Sequence, residues 1–141
     1  MDPQEIRRAI DDAIARWNAQ DERYFEAYAP DVVVHGLPPE APGTLEGLRG
    51  MFRMMWAAFP DMRADVRQIV VEGDRCGLQL AVTGTHRGEF LGIPATGRTV
   101  NVGAMVFLRF DAAGKVAERW QQLDDLALLR QLGAMPAASS T

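Results

Sequence analysis

Asp124 is the residue of this chain whose position most strongly suggests chemistry. It ends a segment that alternates like a β-strand, with Val116, Trp120 and Gln122 on the face that it shares. A carboxylate at the inner end of an apolar strand face is costly unless it is paired, caps a helix or takes part in a reaction. Burial would raise its pKa from an ordinary value of about 3.9 towards the range in which a base transfers protons effectively. A general base is therefore one interpretation of Asp124.

The alternative interpretation of Asp124 is structural. The segment after it, residues 126–132, has apolar residues at helical spacing and ends at Gly133. Aspartate is a preferred N-cap residue, worth about 1 kcal/mol. The neighbouring Asp125 could itself be the cap or the acid of the first turn, which would leave Asp124 free for chemistry.

Three polar side chains could assist such a base as hydrogen-bond donors: Gln122, His35 and His86. Each histidine could equally be a core, rim or strand-end residue. Neither has a second His or a Cys at ligand spacing, so the sequence predicts no metal site.

The remaining patterns predict three helices, then long strands joined by hairpins, then a short helix. Helices are expected from Asp2, from Asp21 to Pro30 and from Thr44 to Phe59, with the last one after Asp125. Strands are expected at residues 31–36, 63–72, 75–87, 98–110 and 115–123. This order indicates an α+β fold in one domain, residues 1–141, with a frayed tail from about residue 134.

Strands of this length usually bend, and a bent antiparallel sheet wrapped around helices makes a cone with a cavity at its mouth. We expect a subset of the large apolar residues to line that cavity and contact a ligand. The predicted subset is Trp17, Tyr28, Met55, Phe59 and Trp120. The apolar centre of the loop at residues 88–97 is expected to cover the cavity mouth or a dimer contact.

Composition excludes several classes of protein. Net charge is −4 and the arginines are scattered, so no nucleic-acid or anionic-membrane footprint exists. No apolar stretch approaches the ~20 residues that span a bilayer, and the polar N-terminus does not resemble a signal peptide. Cys76 is the single cysteine, expected to be buried and inert. We expect a cytoplasmic protein.

Several motifs together resemble one family, the SnoaL-like polyketide cyclases of the nuclear-transport-factor-2-like superfamily. The resemblance covers about residues 4–133. The motifs that carry it lie at Trp17–Asp21, Tyr28–His35, Glu46–Arg49, Ala58–Asp61, Gly84–Pro94, Thr96–Arg98, Glu118–Trp120, Asp124 and Leu128–Gly133.

The resemblance implies a cone-shaped α+β barrel with an active site that uses no cofactor. It also implies that Asp124, four residues after Trp120, removes a proton from a carbon next to a carbonyl group, so that an intramolecular aldol reaction closes a ring. Gln122 stands where those cyclases have a histidine. Pairing of two copies through the outer sheet face is implied as well, and Val100, Val102, Ala104, Val106, Leu108 and Phe110 would need a partner surface if the other face of their strand lined the cone.

Three hypotheses follow. The first is a cofactor-free cyclase or isomerase that acts on a hydrophobic, carbonyl-bearing small molecule with Asp124 as base. The second is a carrier with the same pocket, in which Asp124 is only an exposed cap. The third is a structural protein whose cone is filled by its own side chains.

Overall fold

The computed structural model describes residues 1–135, and its helices begin where the capping residues predict. Helix α1 covers Pro3–Asn18, and the Asp2 carboxylate accepts a hydrogen bond of 2.8 Å from the Glu5 amide. A 3₁₀ helix covers Glu22–Ala27, helix α2 covers Leu45–Ala58 behind the Thr44 cap, and helix α3 covers Asp125–Gln131. Each start places a side-chain acceptor on an amide that the helix itself leaves unpaired.

Five strands form a single sheet in the order β1-β5-β4-β3-β2. Their bounds are Tyr28–His35 for β1, Arg63–Glu72 for β2, Arg75–Thr85 for β3, Thr99–Phe110 for β4 and Val116–Leu123 for β5. Strands β2 to β5 follow one another as antiparallel neighbours. The expected α+β fold with a bent sheet over helices is confirmed, and the sheet is not closed into a barrel.

One strand departs from the expected antiparallel arrangement. Strand β1 lies at the edge of the sheet and runs parallel to β5, with Tyr28 opposite Val116 and His35 opposite Trp120. A parallel neighbour needs a crossover connection, and helix α2 with the intervening strands supplies it.

A β-bulge in β5 decides which side chains face inward. Phe110 pairs with Val116 while Arg109 pairs with Glu118, so Ala117 is an extra residue that has no partner of its own in the ladder. Since side chains alternate with a period of two, one extra residue exchanges the two faces of the strand beyond it.

The core lies between the inner face of the sheet and the helices. Asn18, the last residue of α1, ties this helix to β2 because its side chain accepts from the Ala64 amide at 2.7 Å and donates to the Ala64 carbonyl at 3.0 Å.

Cys76 is buried, and burial raises the pKa of its thiol to about 11. The expected inert thiol is therefore consistent with its surroundings.

Helix α2 passes close to the loop before it at Gly47. A side chain on Gly47 would collide with the carbonyl oxygen of Pro42, whereas one on Gly50 of the same helix would meet nothing within 4 Å. Glycine is thus required at the first position and not at the second.

The expected frayed tail lies largely outside the described residues, which end at 135. Within residues 1–135, none of the helices combines the length and the apolar character that a membrane crossing would require.

Candidate active site

A cavity of about 670 Å³ lies between the sheet and the helices. The interpretation in which side chains fill the cone is therefore wrong. Three of the five predicted ligand contacts line this cavity: Trp17, Tyr28 and Met55. Most other wall residues are apolar; they include Ile10, Met51, Phe52, Leu80, Val106, Leu108 and Leu128.

The inner face of β5 carries the residues that the bulge exposes to the cavity. Arg119, Gln121 and Leu123 line it, whereas Trp120 does not. Beyond Ala117 the inward positions have odd numbers, so the predicted shared face of Val116, Trp120 and Gln122 is wrong.

Asp124 is exposed and lies outside this cavity, as the interpretation as a helix cap expects and in contrast to the interpretation as a buried base. Its carboxylate accepts a hydrogen bond of 3.1 Å from the Ala127 amide, which makes it the N-cap of α3. With Gln122 it borders a shallow outer groove of about 320 Å³, although Gln122 also touches the rim of the main cavity. The bulge is the reason, since it turns Asp124 to the outer side.

Asp125, at the first position of α3, is one of four acidic residues that line the cavity, together with Asp12, Glu26 and Glu40. It lies at the rim and, like Asp124, is exposed to solvent. Partial burial raises the pKa of its carboxyl group, and the negative charge of Asp124 raises it further. The sequence contained a signal for Asp125, because the side chains of two adjacent acids at the end of a strand point to opposite faces of the sheet.

A buried polar group forms another part of the wall. Arg119 is only 8% exposed; its Nε donates to Oε1 of Gln121 at 2.8 Å and its Nη1 donates to the Tyr28 hydroxyl at 3.1 Å. The Tyr28 and Tyr24 hydroxyl oxygens lie 2.6 Å apart. The sequence interpretation missed Arg119 because it assigned the even-numbered residues beyond Ala117 to the inner face of β5. It also missed Tyr24, which lies in the 3₁₀ helix.

His35 and Trp120 lie on the outer face of the sheet. Their rings stack with centroids 5.3 Å apart, and Nε2 of His35 lies 2.8 Å from Oε2 of Glu118. This contact and a second one from Arg109 lower the pKa of the Glu118 carboxyl group. Neither His35 nor Trp120 contributes to the cavity wall, so the expected cavity positions are wrong for both.

His86 and Phe59 are fully buried but lie behind the cavity rather than on its wall. The His86 ring stacks on Phe59 at 5.3 Å, and its Nδ1 lies 3.2 Å from the Thr96 amide, which donates to it. His86 therefore fastens the loop at residues 88–97 to the end of β3. The predicted cavity contact of Phe59 is therefore wrong, and His86 occupies the strand-end position, directly after β3, that was the alternative to a cavity donor.

The loop at residues 88–97 contributes two residues to the cavity rim. Phe90 is buried and Leu91 is 60% exposed, and both line the cavity. Leu91 and Gly92 have φ angles of 49° and 79° within a turn closed by hydrogen bonds between Phe90 and Ile93. Leucine is disfavoured in this left-handed region, so an apolar side chain is held at the mouth at some cost in strain.

The sequence profile of the SnoaL-like polyketide cyclases matches residues 4–132. The chain belongs to this family. No curated protein sequence matches it significantly.

Solved structures agree with the family assignment. AclR, a candidate hydroxylase from Streptomyces galilaeus, is 30% identical with a TM-score of 0.89, over 99% of this chain and 87% of AclR. IdmH, a candidate polyketide cyclase from Streptomyces antibioticus, is 34% identical with a TM-score of 0.78, over 91% of this chain and 98% of IdmH. TsrD from Streptomyces laurentii is 29% identical with a TM-score of 0.84, over 96% and 99% of the respective chains. The SnoaL-like fold therefore accompanies proteins described as cyclases and as hydroxylases.

In this SnoaL-like protein, the described residues 1–135 contain no group of three or more His, Cys, Asp and Glu side chains that could hold a metal ion. The ionisable and amide side chains that line the cavity are those of Asp12, Arg16, Tyr24, Glu26, Tyr28, Glu40, Lys115, Arg119, Gln121, Gln122 and Asp125.

Proposed function

We propose that this SnoaL-like protein performs acid–base chemistry, an aldol cyclisation or an isomerisation, on a hydrophobic small molecule that bears carbonyl groups. The supporting observation is an apolar cavity of about 670 Å³ with a carboxylate of raised pKa, Asp125, on its rim. That volume lies within the usual range of ligand sites, roughly 300–1,000 Å³. The reaction would use protein side chains alone.

In the proposed reaction, the Asp125 carboxylate takes a proton from a carbon next to a carbonyl group and leaves an enolate. For cyclisation, the enolate carbon forms a bond to a second carbonyl carbon of the same molecule, and the alkoxide recovers the proton from Asp125. For isomerisation, the proton returns to a different carbon. Both routes conserve atoms and charge, and a raised pKa suits Asp125 to both halves of the transfer.

A second candidate function is that of a carrier without catalysis. One observation favours it: Asp124, the base that the family resemblance implies, is an exposed helix cap. A carrier would bind the same class of ligand in the same cavity, so binding alone does not separate the two functions.

Hydrogen–deuterium exchange separates them. The ketone 1-tetralone is apolar, fits the cavity volume and has slowly exchanging hydrogens next to its carbonyl group. In D₂O buffer, we expect the protein to accelerate the loss of these proton signals in NMR spectra, in proportion to protein concentration. Saturation-transfer NMR measures binding of the same probe in the same tube.

The control is the double variant Asp124→Asn/Asp125→Asn, which keeps both side-chain shapes and removes both bases. A catalyst loses its exchange activity in this variant and still binds the probe. Binding of 1-tetralone without any exchange above buffer by the native protein would refute the enzymatic proposal and favour the carrier.

A homodimer is part of the proposal, through an apolar patch on the outer sheet face formed by Val70, Met105 and Phe107. These side chains are 65%, 53% and 61% exposed. The Phe107 ring lies against Gly77 of the neighbouring strand, where a side chain would collide with it. The residues earlier assigned to this role, such as Val106 and Leu108, instead face the cavity.

Replacing Phe107 by lysine is expected to convert the dimer to a monomer, because it puts a charge at the centre of the patch. Analytical ultracentrifugation at micromolar concentration measures this change. Gln4→Lys adds the same charge on α1, outside the patch, and should leave the dimer intact. A monomeric native protein would contradict the proposal.

A further inference from the structure

Arg119 is a buried cation for which the structure of residues 1–135 shows no acidic partner. Its side chain lines the cavity and is 8% exposed, yet the ion pairs among residues 1–135 do not include it. Its hydrogen bonds go to two neutral oxygens, those of Gln121 and Tyr28, which use two of its five N–H donors.

A buried cation that only neutral groups contact is costly. A guanidinium group stays charged in proteins, and removing a charge from water is expensive unless an opposite charge compensates it. The Phe52 ring, 5.5 Å from Cζ of Arg119, and the neutral oxygens compensate only in part. None of the acidic side chains that line the cavity forms an ion pair with Arg119, so a ligand in the cavity is the source from which a compensating negative charge can come.

We propose that Arg119 and Tyr28 together bind an ionised oxygen of the ligand, either a carboxylate or the oxygen of an acidic enol or phenol. The ligand of the proposed function is then an acidic compound as well as an apolar, carbonyl-bearing one, and this inference rests on the ligand cavity of that function. The planar fork of arginine suits such an anion because it can donate two parallel hydrogen bonds.

The hydroxyl groups of Tyr24 and Tyr28 add hydrogen-bond donors to the site around Arg119. Burial raises the pKa of Tyr24 well above its usual range, with a contribution from Tyr28, whereas Arg119 acts in the opposite direction. The Tyr24 hydroxyl is therefore neutral near pH 7. The Tyr28 oxygen accepts from Arg119, so its own hydrogen is available either to Tyr24 or to an anion in the cavity.

The distance between Arg119 and Asp125 predicts how a ligand lies in the cavity. Arg119 and Leu123 lie on the same inner face, and four residues of strand span on the order of 13 Å. Asp125 follows just beyond Leu123, at the rim. A ligand that reaches both groups carries its acidic oxygen at one end and its reacting carbon at the other.

Isothermal titration calorimetry with two probes of equal shape tests the inference. The anion 2-naphthoate and the neutral 2-naphthamide differ mainly in charge. We expect the native protein to bind 2-naphthoate at least about tenfold more tightly, and Arg119→Met to weaken its binding about 30-fold, since a buried charged contact is lost. Arg63→Met removes a surface charge outside the cavity and should preserve the preference.

Thermal denaturation separates a binding role from a structural one. Arg119→Met should keep or raise the melting temperature, because an unpaired buried charge is replaced by an apolar chain of similar length. Should that variant fail to fold, Tyr28→Phe carries the test, and it must reduce the preference for 2-naphthoate several-fold.

Equal affinities for the two probes, no saturable binding of 2-naphthoate, or a preference unchanged in Arg119→Met and Tyr28→Phe would each overturn the inference. Absorbance titration with 2-naphthol separates the two sources of the anion. Binding as naphtholate near pH 7 indicates an enol or phenol oxygen, and binding of 2-naphthoate alone indicates a carboxylate. These are equilibrium measurements without turnover, so their failure differs from a failure of Asp125 as base.

Discussion

Asp125→Asn is expected to reduce the exchange of 1-tetralone hydrogens by about 100-fold or more, because positioned proton transfer contributes roughly 10²–10⁴-fold to a rate. The amide has the shape of the carboxyl group and cannot accept the proton. Asp125 lines the cavity at the point where β5 ends and α3 begins. NMR exchange rates in D₂O, with binding measured in parallel, give the result.

Asp124→Asn is the matched control for this prediction. Asparagine caps helices about as well as aspartate, so the variant removes the charge of Asp124 and keeps the start of α3. We expect exchange to persist. A reversed outcome, with exchange lost in Asp124→Asn and kept in Asp125→Asn, would restore Asp124 as the base.

The same pair of acids predicts the pH dependence. The carboxylate form of Asp125 is the base, so exchange declines as the pH falls through the pKa of Asp125. Burial and the Asp124 charge raise that pKa, so the decline starts above the value near 3.9 of an ordinary aspartate. Asp124→Asn removes the charge contribution and should move the decline to lower pH.

Gly47→Ala is expected to destabilise the protein by about 3 kcal/mol, at the upper end of the usual cost of overpacking. The added methyl group meets the Pro42 carbonyl oxygen, which is backbone and cannot turn aside as a side chain could. The loop before α2 would have to move away from the helix. Urea denaturation followed by circular dichroism measures the loss.

Gly50→Ala provides the opposite expectation in the same helix. Gly50 is exposed and a methyl group there meets nothing, so alanine should stabilise α2 by about 0.5–1 kcal/mol through its higher helix propensity. Equal effects of the two substitutions would show that packing against the loop is not what requires glycine at Gly47.

Local sequence signals were sufficient for the elements of this fold. Asp2, Thr44 and the acids before α3 mark helix starts by side-chain capping, and the turns at Gly73 and Gly114 adopt the positive φ angles that favour glycine. Both kinds of signal act within a few residues, so they can be recognised without knowledge of the tertiary structure.

The candidate site could be predicted only in part, because one extra residue in a strand has a distant effect. The extra residue of the bulge, Ala117, is neither a glycine nor a proline, the residues that often mark a bulge. A regular alternation through Ala117 therefore predicts that Trp120 and Asp124 face inward. The bulge depends on how β4 and β5 pair, which is a tertiary property. Once it is known, the inward positions of Arg119 and Gln121 follow directly.

The two histidines show a different limit. His35 lies in β1 and His86 directly follows β3, and periodicity assigns a side chain to one of two faces without saying which face is inward. His35 points to solvent beside Glu118, and His86 is packed behind Phe59. The choice depends on which strands become neighbours, and β1 joins the sheet beside the last strand rather than the next one.

This placement of β1 has a consequence for how the molecule is made. Its residues wait for a neighbour that comes more than eighty positions later in the chain, since Tyr28 pairs with Val116. Contacts so far apart in sequence slow folding, and during synthesis β1 emerges from the ribosome well before β5 does. Until β5 is synthesised, the tyrosine and valine side chains of β1 have no neighbouring strand to pack beside. A chaperone that binds exposed apolar strands would therefore have more time to bind β1 than the later strands.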